Sequence, residues 1–226
     1  MATNYIRDII LYAAAEVDAN ELIRFYHLIS KIPDFRASAG NMFERFVLSW
    51  LSSDPNAPLL ICSPAAASDP DNPVLEIPAC GMERTSFFGS YTALKKARVD
   101  QLPLCLLPTS QTFAAVDAII YTEDSIITVQ VTISNEHSAK GDGLTAIEKA
   151  IPSRIKKNRK WCHVFITDND KNATSLRGQT LSDLPKRFSI YSGVFDIGQL
   201  TRARTSIEAF DEKRVSRSWL HANGAY

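Results

Sequence analysis

Three polar positions near the middle of the chain have the types and spacing for phosphodiester chemistry. Asp117 closes the segment Phe113-Ala-Ala-Val-Asp, and Gln130 and Thr132 alternate within Val129-Gln-Val-Thr-Ile-Ser134. In that second segment Ile127, Val129, Val131 and Ile133 are apolar, and Thr128, Gln130, Thr132 and Ser134 are polar. Period-two alternation predicts a strand with Gln130 and Thr132 on one face. If Glu123-Asp124 form a two-residue turn, Thr122 pairs with Ser125, and Asp117 falls opposite Gln130, about 5 Å away between Cβ atoms. A turn one residue longer flips the relation. An acid at the end of one strand, beside two polar positions spaced x-y-x on the next, is the layout of a divalent-metal nuclease. Two oxygen ligands hold Mg²⁺, and the third position supplies a charge near the attacking water. Here the ligand pair is Asp117 and Gln130, and Glu44 on a preceding helix is the candidate to complete the shell. Gln130 brings an oxygen without charge, and Thr132 stands where that layout wants a lysine. Lys140 and His137, just past the strand, are the nearest groups that could orient water or stabilise the phosphate.

The elements that position these residues read as mixed α/β. Helical spacing is seen over 5–13 and again at Leu22, Ile23, Tyr26 and Ile29, with Asn20 as a cap and Pro33 as a stop. A further helix is predicted over 39–52, burying Phe43, Phe46, Val47, Trp50 and Leu51 beside Glu44. Turn-rich segments flank short strands at 59–62 and 74–77. Strands follow at 104–107, 113–121, 126–134, 161–167 and 188–195. A helix over 144–155 carries Ile147, Ala150 and Ile151 on one side, with Pro152 near its end. As a crossover, that helix makes the strands on either side of it parallel. The predicted organisation is a helical segment at 1–33, a core at 34–200 and a polar tail at 201–226.

Glu44, the block from Phe113 to Asp117, and Val129-Gln-Val-Thr-Ile-Ser134 followed by His137 resemble the restriction-endonuclease-like (PD-(D/E)xK) module of crinkler-type effectors and retrotransposon hot-spot proteins. Trp161-Cys-His-Val-Phe-Ile-Thr-Asp168 and Ile190-Tyr191 are similar to later strands of that module, and the resemblance covers about residues 36–200. It implies a restriction-endonuclease-like mixed sheet flanked by helices, with Mg²⁺ as cofactor. In that family the module is often fused behind an NTPase domain. This chain carries no nucleotide-binding loop of the Walker type, so the resemblance implies the module alone or a fragment, with an NTPase domain or a host protein as partner.

Each candidate has a purely structural alternative. For Asp117 it is a bond to a neighbouring backbone amide; for Gln130, Glu44, His137 and Lys140 it is a solvated surface. His163 alternates with Trp161 and Phe165 and reads as a core or rim histidine. Arg154, Lys156, Lys157, Arg159 and Lys160 form a dense cationic run at the end of the crossover helix. That run is either a helix terminus favoured by its dipole or a phosphate-tracking patch beside the cleft.

Composition bounds these readings. The 226 residues contain 25 Lys+Arg and 25 Asp+Glu, so bulk charge attracts no polyanion and only a local patch can. Apolar residues at 45% suffice for a buried core. The run from Ile9 to Ala15 is far short of the ~20 residues of a membrane span. It also lacks the basic start of a signal peptide, so the expected location is intracellular, in cytoplasm or nucleus. The four cysteines include no CxxC and read as reduced thiols. Neither a Gly-rich phosphate loop nor GxSxG is present, which weakens the case for a small-molecule enzyme. Two readings remain: a metal-dependent nuclease acting on DNA or RNA, intact or weakened, and a non-catalytic module of the same fold that binds nucleic acid or a protein.

Overall fold

A computed structural model describes residues 19–65, 73–109, 113, 115–136, 141–178 and 185–198. The helix expected over 5–13, the tail after 200, His137 and Lys140 lie outside those residues.

Within the described residues, eight strands form one mixed sheet in the order β2-β1-β8-β7-β6-β5-β4-β3. The strands are β1 (Leu60–Pro64), β2 (Leu75–Ile77), β3 (Thr85–Phe88), β4 (Leu104–Pro108), β5 (Ala118–Tyr121), β6 (Ser125–Val131), β7 (Lys160–Thr167) and β8 (Phe188–Val194). The helices are α1 (Ala19–Ile29), α2 (Arg36–Leu51), α3 (Tyr91–Lys96), α4 (Gly141–Ala150), α5 (Ser153–Lys156) and α6 (Asp170–Gly178). β4, β5 and β6 run as an antiparallel meander, and β6, β7 and β8 are mutually parallel. The parallel β6–β7 pair is the one the crossover requires.

The turn between β5 and β6 has two residues, Glu123 and Asp124, closed by the Thr122 N–H donating to the Ser125 carbonyl at 3.0 Å. The Thr122 hydroxyl donates to Asp124 Oδ1 and accepts from the Ser125 N–H. The first of these bonds is the chief reason the Asp124 carboxyl sits below its ordinary value. Ala118 pairs with Val129 and Tyr121 with Ile126, which is the register that a two-residue turn implies.

Alternation splits the sheet into two faces, each with its own apolar core. Ile127, Val129, Ala118, Ile120, Val164 and Ile166 meet Phe43, Val47 and Trp50 of α2 and Tyr26 and Ile29 of α1. Ile119, Tyr121, Ile126, Trp161 and Phe188 meet Leu144, Ile147 and Ile155 of α4 and α5. Because α1 shares the core of α2, it is packed as part of the sheet domain rather than standing apart.

Several boundaries differ from expectation for local reasons. β5 starts at Ala118, not near 113, because the Val116 N–H turns back onto the Phe113 carbonyl. Phe113 leaves the sheet to stack edge-on with Phe88 and Tyr91. α2 begins three residues early, led in by a 3₁₀ turn at Pro33–Phe35. α1 already includes Asn20, so that residue does not precede the helix. The crossover helix breaks before Pro152, which lacks the N–H a continuous helix needs, and restarts as α5. β3, α3 and α6 have no counterpart in the sequence reading.

Candidate functional site

In parallel α/β sheets, sites gather at the carboxyl ends of the strands, where loops can present side chains beyond the last rung. Here those ends belong to β6, β7 and β8, and Asp117, Gln130 and Thr132 all lie there. Asp117 precedes the first residue of β5 and is half-buried. Its N–H donates to the Val129 carbonyl at 2.8 Å. Its carboxylate Oδ2 accepts from the Val131 N–H at 2.7 Å. Asp117 thus brackets Gln130, with a main-chain bond to the residue before it and a side-chain bond to the residue after it.

Gln130 is 4% exposed and Thr132 is 9% exposed. By alternation both belong to the face of Thr128 and His163, as does the Asp117 position. Gln130 is therefore not a solvated strand residue. Past β6, the Thr132 hydroxyl accepts from the Ser134 N–H at 3.0 Å, which turns the chain out of the sheet. The Thr132 N–H donates to the Ile166 carbonyl, so pairing with β7 continues one residue beyond the strand.

α2, with Glu44, covers the opposite face, because its apolar side packs on Val129 and Val131. Glu44 is half-buried, one turn beyond Gly40, whose Cα faces Ile133 just past the end of β6. The helix that carries Glu44 therefore lies across the sheet from the face of Asp117 and Gln130. Among the described residues, no group of three or more His, Cys, Asp or Glu is placed to hold a metal ion.

Sequence reasoning missed the most connected acid at this end. Asp168 follows β7 and gathers four donors. Its Oδ1 accepts from the Asn169 and Asn172 amides at 2.7 and 3.1 Å and from the Thr167 hydroxyl at 3.3 Å. Its Oδ2 accepts from the Tyr26 hydroxyl of α1 at 3.0 Å. Burial drives the Tyr26 phenol far above its ordinary value, and the neighbouring Asp168 charge adds to the shift. The Asn172 amide also donates to the Ile133 carbonyl at 3.0 Å. That bond ties the chain just after Thr132 to α6. The signal available in sequence was Asn169, whose side chain accepts from the Asn172 N–H and opens α6 as an N-cap.

His163 is fully buried, with Nδ1 2.9 Å from the Thr128 hydroxyl and its ring edge-on to Phe165. It is a core histidine. His27 lies exposed on α1.

The cationic run does not flank this end of the sheet. Lys160 opens β7 and pairs with Ser125 at the start of β6, whereas Gln130 pairs with Phe165. At about 3.3 Å per residue, the run lies about 17 Å from Gln130, beside the β5–β6 turn. Two of its members are fasteners. Arg159 Nε donates to the Thr122 carbonyl at 2.7 Å and its Nη1 to the Ile155 carbonyl at 2.6 Å. Lys156 Nζ donates to the Glu148 carbonyl at 2.7 Å, near the end of α4. Arg154, Lys157 and Lys160 are exposed.

No helix among the described residues is long and apolar enough to cross a membrane. Comparison with family models, with curated proteins and with solved structures gives no match.

Proposed function

We propose that this chain is a nuclease-like module of the restriction-endonuclease-like kind, acting on DNA or RNA phosphodiesters through a metal-dependent site in weakened form. The observation that carries the reading is the place of Asp117. It is an acid at the mouth of an antiparallel strand, in register with Gln130, at the carboxyl ends of three parallel strands. The residue types proposed as donors are oxygen ligands, the kind Mg²⁺ takes. Asp117 would supply a carboxylate and Gln130 an amide oxygen, and Glu44 is the proposed third donor. Mg²⁺ is commonly held by one or two carboxylates and completed by water and substrate phosphate. The ion would polarise the phosphate and acidify a bound water. His137 and Lys140, on the segment leading from β6 to α4, are proposed to orient that water or meet the phosphate charge.

A second reading is a non-catalytic module of the same fold, effector-like, that binds nucleic acid or a host or partner protein. The bond from the Val131 amide to Asp117 favours it, because that bond gives the acid a structural task. Thr132, which cannot supply an ammonium, favours it as well. Fold alone grants no activity.

Two measurements on the purified chain separate these readings. Mn²⁺ titration followed by electron paramagnetic resonance should find one weak site that Asp117→Asn removes. Labelled single-stranded and duplex DNA and RNA should be cut slowly with Mg²⁺ or Mn²⁺, and not by Asp117→Asn. Absence of both Mn²⁺ binding and cleavage overturns the nuclease reading and leaves the binding module.

A further inference from the structure

The end of the sheet opposite Asp117 gathers cations from two separate segments. Arg154, Lys157 and Lys160 arrive from α5 and the start of β7, and Lys186 and Arg187 from the residues before β8; all five are exposed. β7 and β8 are parallel neighbours with Trp161 opposite Phe188. Lys160 and Arg187 therefore stand at the starts of adjacent strands, which are about 4.8 Å apart. Asn158, in the left-handed conformation at φ 62°, reverses the chain between Lys157 and Arg159.

Helix-terminus electrostatics explain only part of this group. Lys156 and Arg159 satisfy carbonyls at the ends of α4 and α5, as cations at helix carboxyl termini do. Arg187 pairs with Glu148 at 3.2 Å and lies over the Trp161 ring, 5.9 Å from its centre. The side chains of Arg154, Lys157 and Lys186 satisfy no carbonyl and pair with no acid among the described residues. On a chain of zero net charge, such a concentration of cations is a local field.

We propose that this amino-end surface, built on Arg154, Lys157, Lys160, Lys186 and Arg187, is a docking site for the sugar–phosphate backbone of a nucleic acid, distinct from the Asp117 end. The choice of nucleic acid among polyanions rests on the nuclease-like reading; the surface and its separation from Asp117 do not. An anionic membrane fits less well. Among the described residues the exposed large apolar side chains lie on α1, the turn between α1 and α2, the β1–β2 edge and the start of α3 (Tyr91), and none belongs to α5 or the starts of β7 and β8, where Trp161 is 4% exposed beneath Arg187. A membrane-surface patch pairs its cations with an apolar side that enters the lipid. Among the described residues no exposed aromatic ring lies on α5 or at the starts of β7 and β8, so the contact is to phosphates and independent of base sequence.

The test is fluorescence anisotropy of labelled 20-mer DNA and RNA at stepped KCl in EDTA, so that neither metal binding nor cleavage enters. The parent should bind with a log–log salt slope of about −3 to −4. The triple variant Arg154→Ala/Lys157→Ala/Lys186→Ala should bind at least about tenfold more weakly at 50 mM KCl, with the slope flattened by about two to three. Replacing the same positions by the other cation (Arg154→Lys, Lys157→Arg, Lys186→Arg) should retain binding, which separates loss of charge from loss of fold. Lys31→Ala, which removes an exposed cation just after α1, should bind as the parent does. Equal binding by the triple variant and the parent overturns the proposal. So does a loss of the same size in Lys31→Ala, or parent binding to phosphatidylserine vesicles and not to the oligonucleotides.

Discussion

Asp117 and Val131 are joined by a 2.7 Å bond from the Val131 amide to the Asp117 carboxylate, and Gln130 lies between the two points at which Asp117 grips β6. One residue therefore both ends the β5–β6 ladder and is the proposed metal ligand at that end of the sheet. The two tasks separate by substitution. Asn at 117 keeps an acceptor for the Val131 N–H and removes the charge; Ala removes both. Asp117→Asn should leave the urea midpoint nearly unchanged and lose Mn²⁺ binding. Asp117→Ala should in addition lose about 1–2 kcal/mol of stability. Equal destabilisation by the two would show that the negative charge, and not the hydrogen bond, holds the strand end.

Arg159 and Lys157 are two residues apart and have different tasks. Arg159→Ala removes two bonds to backbone carbonyls that join α5 to the β5–β6 turn, and should destabilise by about 2 kcal/mol in urea denaturation. Lys157→Ala, at an exposed position, should stay within about 0.5 kcal/mol of the parent. Similar losses for both would place Lys157 in the structural set.

Asp168 should be the most sensitive polar position at the carboxyl end. Asp168→Ala removes the acceptor from the Tyr26 hydroxyl and from the Asn169 and Asn172 amides, with an expected loss of about 2–3 kcal/mol. Tyr26→Phe removes one bond of that set and should lose about 1 kcal/mol. Thermal or urea unfolding of both variants checks the order. A Tyr26→Phe loss as large as that of Asp168→Ala would mean that the α1 tie dominates the network.

The buried thiols and phenols set an alkaline limit. Burial pushes the Cys62 thiol up to about 12 and the Cys162 thiol up to about 11, from an ordinary value of 9.0. Burial raises the Tyr26 and Tyr121 phenols as well. In each case the folded state holds its proton more tightly than the unfolded chain does. This stabilisation is complete below the unfolded values and declines as pH rises toward the folded ones. Each thiol contributes a slope of about 1.4 kcal/mol per pH unit within its window. Under reducing conditions the urea midpoint should be flat to about pH 9 and fall steeply above it. Cys162→Ala should soften the fall between 9 and 11. A midpoint flat to pH 11 would contradict burial of these groups.

The β5–β6 hairpin was legible because two local signals agree. Strict alternation from Ile127 to Ser134 names the faces, and a two-residue turn at Glu123-Asp124 sets the register. β3 and α3 were not legible. Thr85–Phe88 is too short to show a period, and Tyr91–Lys96 is a single short helix whose cap, Ser90, is one serine among many. α6 has few apolar positions, so periodicity does not mark it. The Asp168 network depends on α1 meeting the end of β7, a contact between residues far apart in the chain. The position of the cationic run was implied by the topology. A parallel crossover from β6 to β7 carries the start of β7 back to the turn end of β6, so cations preceding Trp161 cannot stand beside Thr132.

The sheet's outer strand beyond β1 has consequences for life in a crowded solution. β2 is only three residues long, and its middle residue, Glu76, is exposed. Beside it, Leu59, Ile61 and Val74 are exposed apolar groups on a rim whose backbone could template another chain. A carboxylate on so brief a rung makes a second copy's approach repulsive and leaves it little ladder to extend. Replacing Glu76 by a neutral β-former such as valine should therefore raise the tendency of this border to self-associate.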